Sequence, residues 1–115
     1  MKIPEQGMLL RIFIGETDSY KGKALYEQIV LKAKELHLAA VTVTRGIMGY
    51  GADNEIHTSK ILRLSDDLPI IIEIIDSENN LQTILPFLDE TIGDGFVTME
   101  KVNIIQYREG VDDHN

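Results

Sequence analysis

The sequence predicts an α+β fold of the ferredoxin-like kind, a βαββαβ sandwich with an antiparallel sheet and two helices on one face. Three features predict it. Two runs, residues 8–14 and 70–75, are almost wholly apolar, the mark of strands buried in the middle of a sheet. Each is followed by a stretch whose apolar residues recur at helical spacing. Shorter strand signals follow those helices, at residues 40–45 and 96–99, and complete the order strand–helix–strand–strand–helix–strand.

Residues 1–7 read as a lead-in. The first strand, Met8-Leu9-Leu10-Arg11-Ile12-Phe13-Ile14, ends at Gly15. Asp18 or Ser19 is placed to cap the first helix, because a short side-chain oxygen accepts from the unpaired N–H groups of a first turn. In that helix Leu25, Tyr26, Ile29, Val30, Ala33 and Leu36 share one face, and Glu27, Gln28, Lys32 and Glu35 the other. The β-branched run Ala40-Val41-Thr42-Val43-Thr44-Arg45 is the second strand. Gly46, Gly49 and Gly51 then punctuate a loop that is polar over residues 52–58. Residues 59–64 read as a short extended segment and residues 65–69 as a turn. Ile70-Ile71-Ile72-Glu73-Ile74-Ile75 is the central strand. Asp76 or Ser77 caps a second helix with Leu81, Ile84, Leu85 and Leu88 on one face. Pro86 lies inside that pattern and is expected to kink or divide the helix, since its ring clashes with an earlier carbonyl. Gly93-Asp94-Gly95 ends the element. Residues 96–99 and 103–107 read as two last short strands, and residues 109–115 as a polar tail. The chain, 1–115, reads as a single domain without internal repeats. With both helices on one face, the opposite face of the sheet needs cover, and self-association supplies it.

Composition narrows the function. The 115 residues are 43% hydrophobic, as in an ordinary globular protein. Eleven basic against 19 acidic residues give a net charge of −8, which repels a polyanion and argues against nucleic acid as a partner. No apolar run is long enough to span a bilayer, and residues 1–7 lack a signal-peptide core, so a cytoplasmic location without membrane insertion is expected. Cysteine is absent, which excludes disulfides and thiol catalysis.

Three segments carry a resemblance. They are Arg11-Ile12-Phe13-Ile14-Gly15-Glu16, Gly22-Lys23-Ala24-Leu25-Tyr26-Glu27, and above all Thr42-Val43-Thr44-Arg45-Gly46-Ile47-Met48-Gly49-Tyr50-Gly51. Together they resemble the uncharacterised PII-like proteins, a bacterial and archaeal family related in fold to the nitrogen-regulatory PII signalling proteins. The resemblance runs from about residue 8 to residue 108. It implies a ferredoxin-like fold and a homotrimer whose sheets enclose a central cavity. It also implies adenine nucleotides in clefts between subunits and a ligand-responsive loop between the second and third strands, here roughly residues 46–59. In PII proteins a second loop, often Gly-Asp-Gly-Lys, precedes the fourth strand and holds phosphates. Ile92-Gly93-Asp94-Gly95-Phe96 stands in its place here, so Phe96 occupies the position of a phosphate-binding lysine. Gln106-Tyr107-Arg108 offers one arginine where classical PII proteins supply a pair, and the loop is shorter than a classical signalling loop.

The expected ligand site follows from these residues. Backbone N–H groups at Gly93, Asp94 and Gly95 are suited to form an anion nest, because glycine tolerates the required angles. Arg45 and Arg108 are expected to join it from nearby strands, with the segment holding Gly46, Gly49 and Gly51 covering the ligand. Lys60 and Arg63 are further basic residues near that cleft, read as surface ion pairs. A charged donor to an anion is worth roughly 1.5–3 kcal/mol, so a missing lysine costs on the order of ten- to a hundredfold and leaves micromolar or weaker binding. Gly95→Val is expected to remove binding and leave the trimer intact. Flanking glycines and polar composition predict mobility over residues 50–58.

Other chemistries are weakly supported. His37, His57 and His114 lack ligand spacing, so no metal site is expected, and no cofactor. The pairs Asp66-Asp67, Asp89-Glu90 and Asp112-Asp113 are sequence neighbours whose side chains point apart. No nucleophile elbow is present. The reading is therefore not an enzyme but a PII-like regulatory protein, binding a small anionic metabolite between subunits of a trimer. An adenine nucleotide, a monophosphate or a different small molecule all fit that reading. The alternative is a ligand-free structural or interaction trimer whose loop docks a partner protein such as a membrane transporter.

Overall fold

The computed structural model describes residues 6–52, 56–58 and 67–110. In chain order they form β1 (Gln6–Gly15), β2 (Ser19–Tyr20), β3 (Lys23–Ala24), α1 (Leu25–Glu35), β4 (Ala40–Arg45) and β5 (Met48–Gly49). There follow β6 (His57–Thr58), β7 (Pro69–Asp76), α2 (Glu78–Gln82), α3 (Leu85–Thr91) and β8 (Phe96–Asn103). Four strands make one sheet in the order β4-β7-β1-β8, antiparallel at every junction. The two long apolar strands are its centre, as their composition predicts.

Alternation decides which face is buried. Leu10, Ile12 and Ile14 of β1 and Ile70, Ile72 and Ile74 of β7 point toward the helices. There they meet Leu25, Ile29 and Ala33 of α1, with Leu81, Ile84 and Leu88 from the second helical segment. Each such isoleucine or leucine contributes about 1.5–3 kcal/mol by leaving water. The opposite face is mixed rather than wholly apolar. Arg11 stands across from Glu73 in the register and donates Nε to its carboxylate at 2.8 Å and Nη1 to Glu100 at 2.6 Å. Beside this ion cluster lies a stack of Phe13 on Phe96, two residues further along β1 on the same face.

Several element ends differ from expectation for local reasons. Neither Asp18 nor Ser19 caps α1. The chain first makes the β2–β3 hairpin, whose two-residue turn has positive φ at both Lys21 (52°) and Gly22 (79°), the geometry that matches strand twist. α1 then starts from Ala24 with no side-chain cap. It ends in a Schellman arrangement: His37 takes a φ of 61°, the Leu38 N–H reaches Ala33 O at 3.0 Å and the His37 N–H reaches Lys34 O at 3.0 Å. Ser77 does cap α2, accepting from the Asn80 N–H at 3.2 Å. Pro86 divides the second helical pattern into α2 and α3 and sits in the first turn of α3, where its missing N–H is not needed.

The last two strands of the sequence reading are one. Gln6 and Gly7, read as lead-in, extend β1 and pair with Asn103 and Val102. That partner carries β8 unbroken through residues 100–103, and residues 104–110 form no strand. The extended segment read at residues 59–64, with Lys60 and Arg63, lies outside the described residues, as do residues 65 and 66 of the turn and the tail from residue 111.

Candidate functional site

Antiparallel pairing brings three strand ends together. Phe13 lies opposite Phe96, Gly15 lies opposite Pro69, and the chain leaving β4 and β5 crosses beside them. A recess of about 120 Å³ opens there, walled by Phe13, Phe96, Tyr50, Gly51, Asp94 and Gly95. The ring centroids of Phe13 and Phe96 are 4.4 Å apart with planes 15° from parallel. Phe96 remains 45% exposed and Tyr50 68%. A second recess, about 380 Å³, lies between α3 and the start of β8 and shares Gly95 and Phe96 with the first.

The glycines of the two loops play unequal parts. Gly95 has a φ of 153°, and a Cβ built on it would stand 2.5 Å from the carbonyl oxygen of Phe13. Glycine is needed there so that the turn can press onto β1. Gly93 has no neighbour within 4 Å of such a Cβ and no positive φ, so its backbone is one that other residues also adopt. Gly51 lies beside the recess, where an added Cβ would be 3.6 Å from Phe96 Cε1. Gly46 and Gly49 stand against Pro69, at 3.3 and 3.2 Å by the same measure. The Gly46 N–H donates to Pro69 O at 2.7 Å. Pairing of Met48 with Thr58 and of Gly49 with His57 makes part of the predicted loop a short hairpin.

The two arginines fall at opposite ends of the sheet. Arg45 ends β4 at the recess end, where its Nη2 is 2.5 Å from Glu16, the residue after Gly15. Arg108 is at the far end: the chain after β8 runs back across the strand ends, and the Tyr107 hydroxyl donates to Ala39 O at 2.7 Å, just before β4. Arg108 therefore does not approach the Asp94–Gly95 turn of its own chain.

The charged side chains that line the recess itself are carboxylates. Asp18 accepts the Gly15 N–H at 2.9 Å and Asp67 accepts the Thr17 N–H at 2.9 Å, which ties the loop after β1 to the start of β7. Asp94 completes the set, and no lysine or arginine lines the recess among the described residues. Tyr50 falls within the segment read as covering the ligand, whereas Phe13, Asp18, Asp67 and Pro69 were not read from the sequence as lining residues. Phe96 drew notice only as a lysine replaced. The missed signal was the strand register, which sets Phe13 across from Phe96. Among the described residues no group of three or more metal-ligating side chains comes together. None of their helices is long and apolar enough to cross a membrane.

Known proteins share this architecture. Two solved structures of CPII, a nitrogen regulatory PII-like protein from Thiomonas intermedia, superpose on the chain with TM-scores of 0.53 and 0.52, at 18% and 17% identity. Each covers 85% of this chain and 89% of its own. One was solved bound to ADP, AMP and bicarbonate, the other to ADP and bicarbonate. Sequence relatives are closer. A UPF0166 protein of Aquifex aeolicus is 41% identical over 99 residues, 84% of this chain and 91% of the relative. A UPF0166 protein of Methanocaldococcus jannaschii is 38% identical over 84 residues, 73% and 77% of the two chains. The model of the DUF190 family, described as an uncharacterized ACR, matches residues 7–104. That span takes in all of the described sheet but Gln6, the described helices and both glycine loops, and it makes this chain a member of the DUF190 family, the UPF0166 proteins, with a fold like that of the PII-like proteins.

Proposed function

We propose that this chain is a PII-like regulatory protein that binds an adenine nucleotide between the subunits of a homotrimer. The observation that carries the reading is the meeting of two segments distant in sequence, Tyr50–Gly51 and Asp94–Gly95, on one recess at the end of the sheet. The likeness in fold to CPII, itself solved with ADP and AMP, supports the ligand class. The size of the recess supports a shared site. At about 120 Å³ it is well below the roughly 300–1,000 Å³ that encloses a whole small molecule, so one chain holds only part of the ligand. No catalytic step is needed for this role.

A ligand-free docking trimer draws support from a different observation. Ile47, Met48, Tyr50 and Ile56, all in or beside the β5–β6 segment, are exposed by 53% or more. A thermal-shift series with AMP, ADP and ATP separates the readings. A ligand of the folded state at a hundred times its Kd stabilises by about 2.7 kcal/mol through mass action, and a protein without a nucleotide site shows no shift. Light scattering of the same samples is expected to show a trimer, and a monomer at micromolar concentration contradicts it.

A further inference from the structure

We infer that the Phe13–Phe96 stack is a platform for the adenine ring, so that the nucleotide enters this recess base-first. The inference rests on the nucleotide-binding reading above and fixes its orientation. Three observations carry it. First, the recess takes one part of a nucleotide, either the base or a phosphate. Second, its walls suit the base. The Phe96 ring, backed by Phe13 at 4.4 Å, is 45% exposed, and Tyr50, 68% exposed, also lines the recess. Large apolar rings at the mouth of a recess offer a π-face on which a base can stack. Gly51 keeps side-chain atoms away from the edge of that ring, since any Cβ there stands 3.6 Å from Phe96 Cε1. Third, the charged side chains that line the recess are acceptors. Asp94 suits the exocyclic amino group of adenine and repels a phosphate, and among the described residues no cation lines the recess.

A replaced lysine at position 96 is then a change of what the turn holds, from phosphate to ring. The nucleotide's phosphates point away from the recess, toward the neighbouring copy. Phe96 acts by direct contact, and the removal of one base–aromatic stack is read as about a tenfold or greater loss of affinity.

The test is calorimetric titration of the full chain with adenosine, AMP and ribose 5-phosphate, together with three variants. Phe96→Leu keeps apolar packing on Phe13 and removes the plane, Phe96→Lys restores a cation, and Phe96→Trp introduces the chain's first tryptophan. The inference expects adenosine to retain most of the affinity of AMP and ribose 5-phosphate to bind negligibly. It expects Phe96→Leu and Phe96→Lys each to weaken adenosine and AMP alike by about tenfold or more, and adenosine to quench the emission of Phe96→Trp saturably. If ribose 5-phosphate binds as well as AMP, and Phe96→Lys tightens AMP while Phe96→Leu leaves it unchanged, the recess holds phosphate; the base-first assignment then falls and the nucleotide reading stands. If the parent binds neither AMP nor adenosine, both fall.

Discussion

Gly95 presses so closely on Phe13 that a Cβ would stand 2.5 Å from the Phe13 carbonyl oxygen, with Ile92 and Ile14 side chains at 3.1 and 3.2 Å. The turn before β8 is thus part of the packing at the end of the sheet as well as a wall of the recess. Gly95→Ala is expected to destabilise the fold by roughly 2–3 kcal/mol in urea denaturation, because the clash meets backbone and the φ of 153° disfavours a side chain. Gly93→Ala, in open space, is expected to stay within about 0.5 kcal/mol of the parent. Gly95→Val is consequently no clean probe of binding. It perturbs the fold and the site together, and the expectation that it would leave the assembly intact does not survive this geometry.

Asp76 offers a second test. It is fully buried, and its carboxylate accepts the N–H of Ser77 at 2.6 Å, the N–H of Ala39 at 2.9 Å and Nδ2 of Asn80 at 2.9 Å. One side chain therefore joins the end of β7, the start of α2 and the entry to β4. Asp76→Ala removes the shared acceptor of three part-buried hydrogen bonds and is expected to cost about 2–3 kcal/mol in chemical denaturation, a large share of a small domain's stability. A loss under about 0.5 kcal/mol contradicts this account of the junction.

The segment after β8 crosses the sheet end on a small number of contacts. The Ile104 side chain lies over Gly7, and the Tyr107 hydroxyl is bonded to Ala39 O. Tyr107→Phe is expected to cost about 1 kcal/mol or less globally. Its clearer signature is faster amide exchange over residues 104–108, with β7 unchanged. Equal acceleration in β7 contradicts a local strap.

Most of the fold was legible because its signals are local and dense. Ile70, Ile72 and Ile74 alternate with Ile71, Glu73 and Ile75 in a run that only a central strand accommodates. Pro86 divides its helix through a steric clash written in its own ring. Less legible were features fixed by pairing at long range. The extension of β8 to Asn103 depends on Gln6 and Gly7 joining β1, ninety-odd positions away. The Lys21–Gly22 hairpin turn displaces the expected cap at Asp18 or Ser19. The site divides along the same line. Asp94, Gly95 and Gly51 announce themselves as turn residues, while Phe13 and Phe96 become neighbours only through strand register. Arg108, close to the site by resemblance, is carried to the opposite end of the sheet by the segment that Tyr107 fastens.

The claim that the end-of-sheet recess serves an adenine nucleotide is tested most directly by calorimetric titration of AMP into the full chain. The account predicts saturable binding of one AMP per chain, in roughly the micromolar range. No heat of binding from either AMP or ADP at millimolar concentration contradicts it.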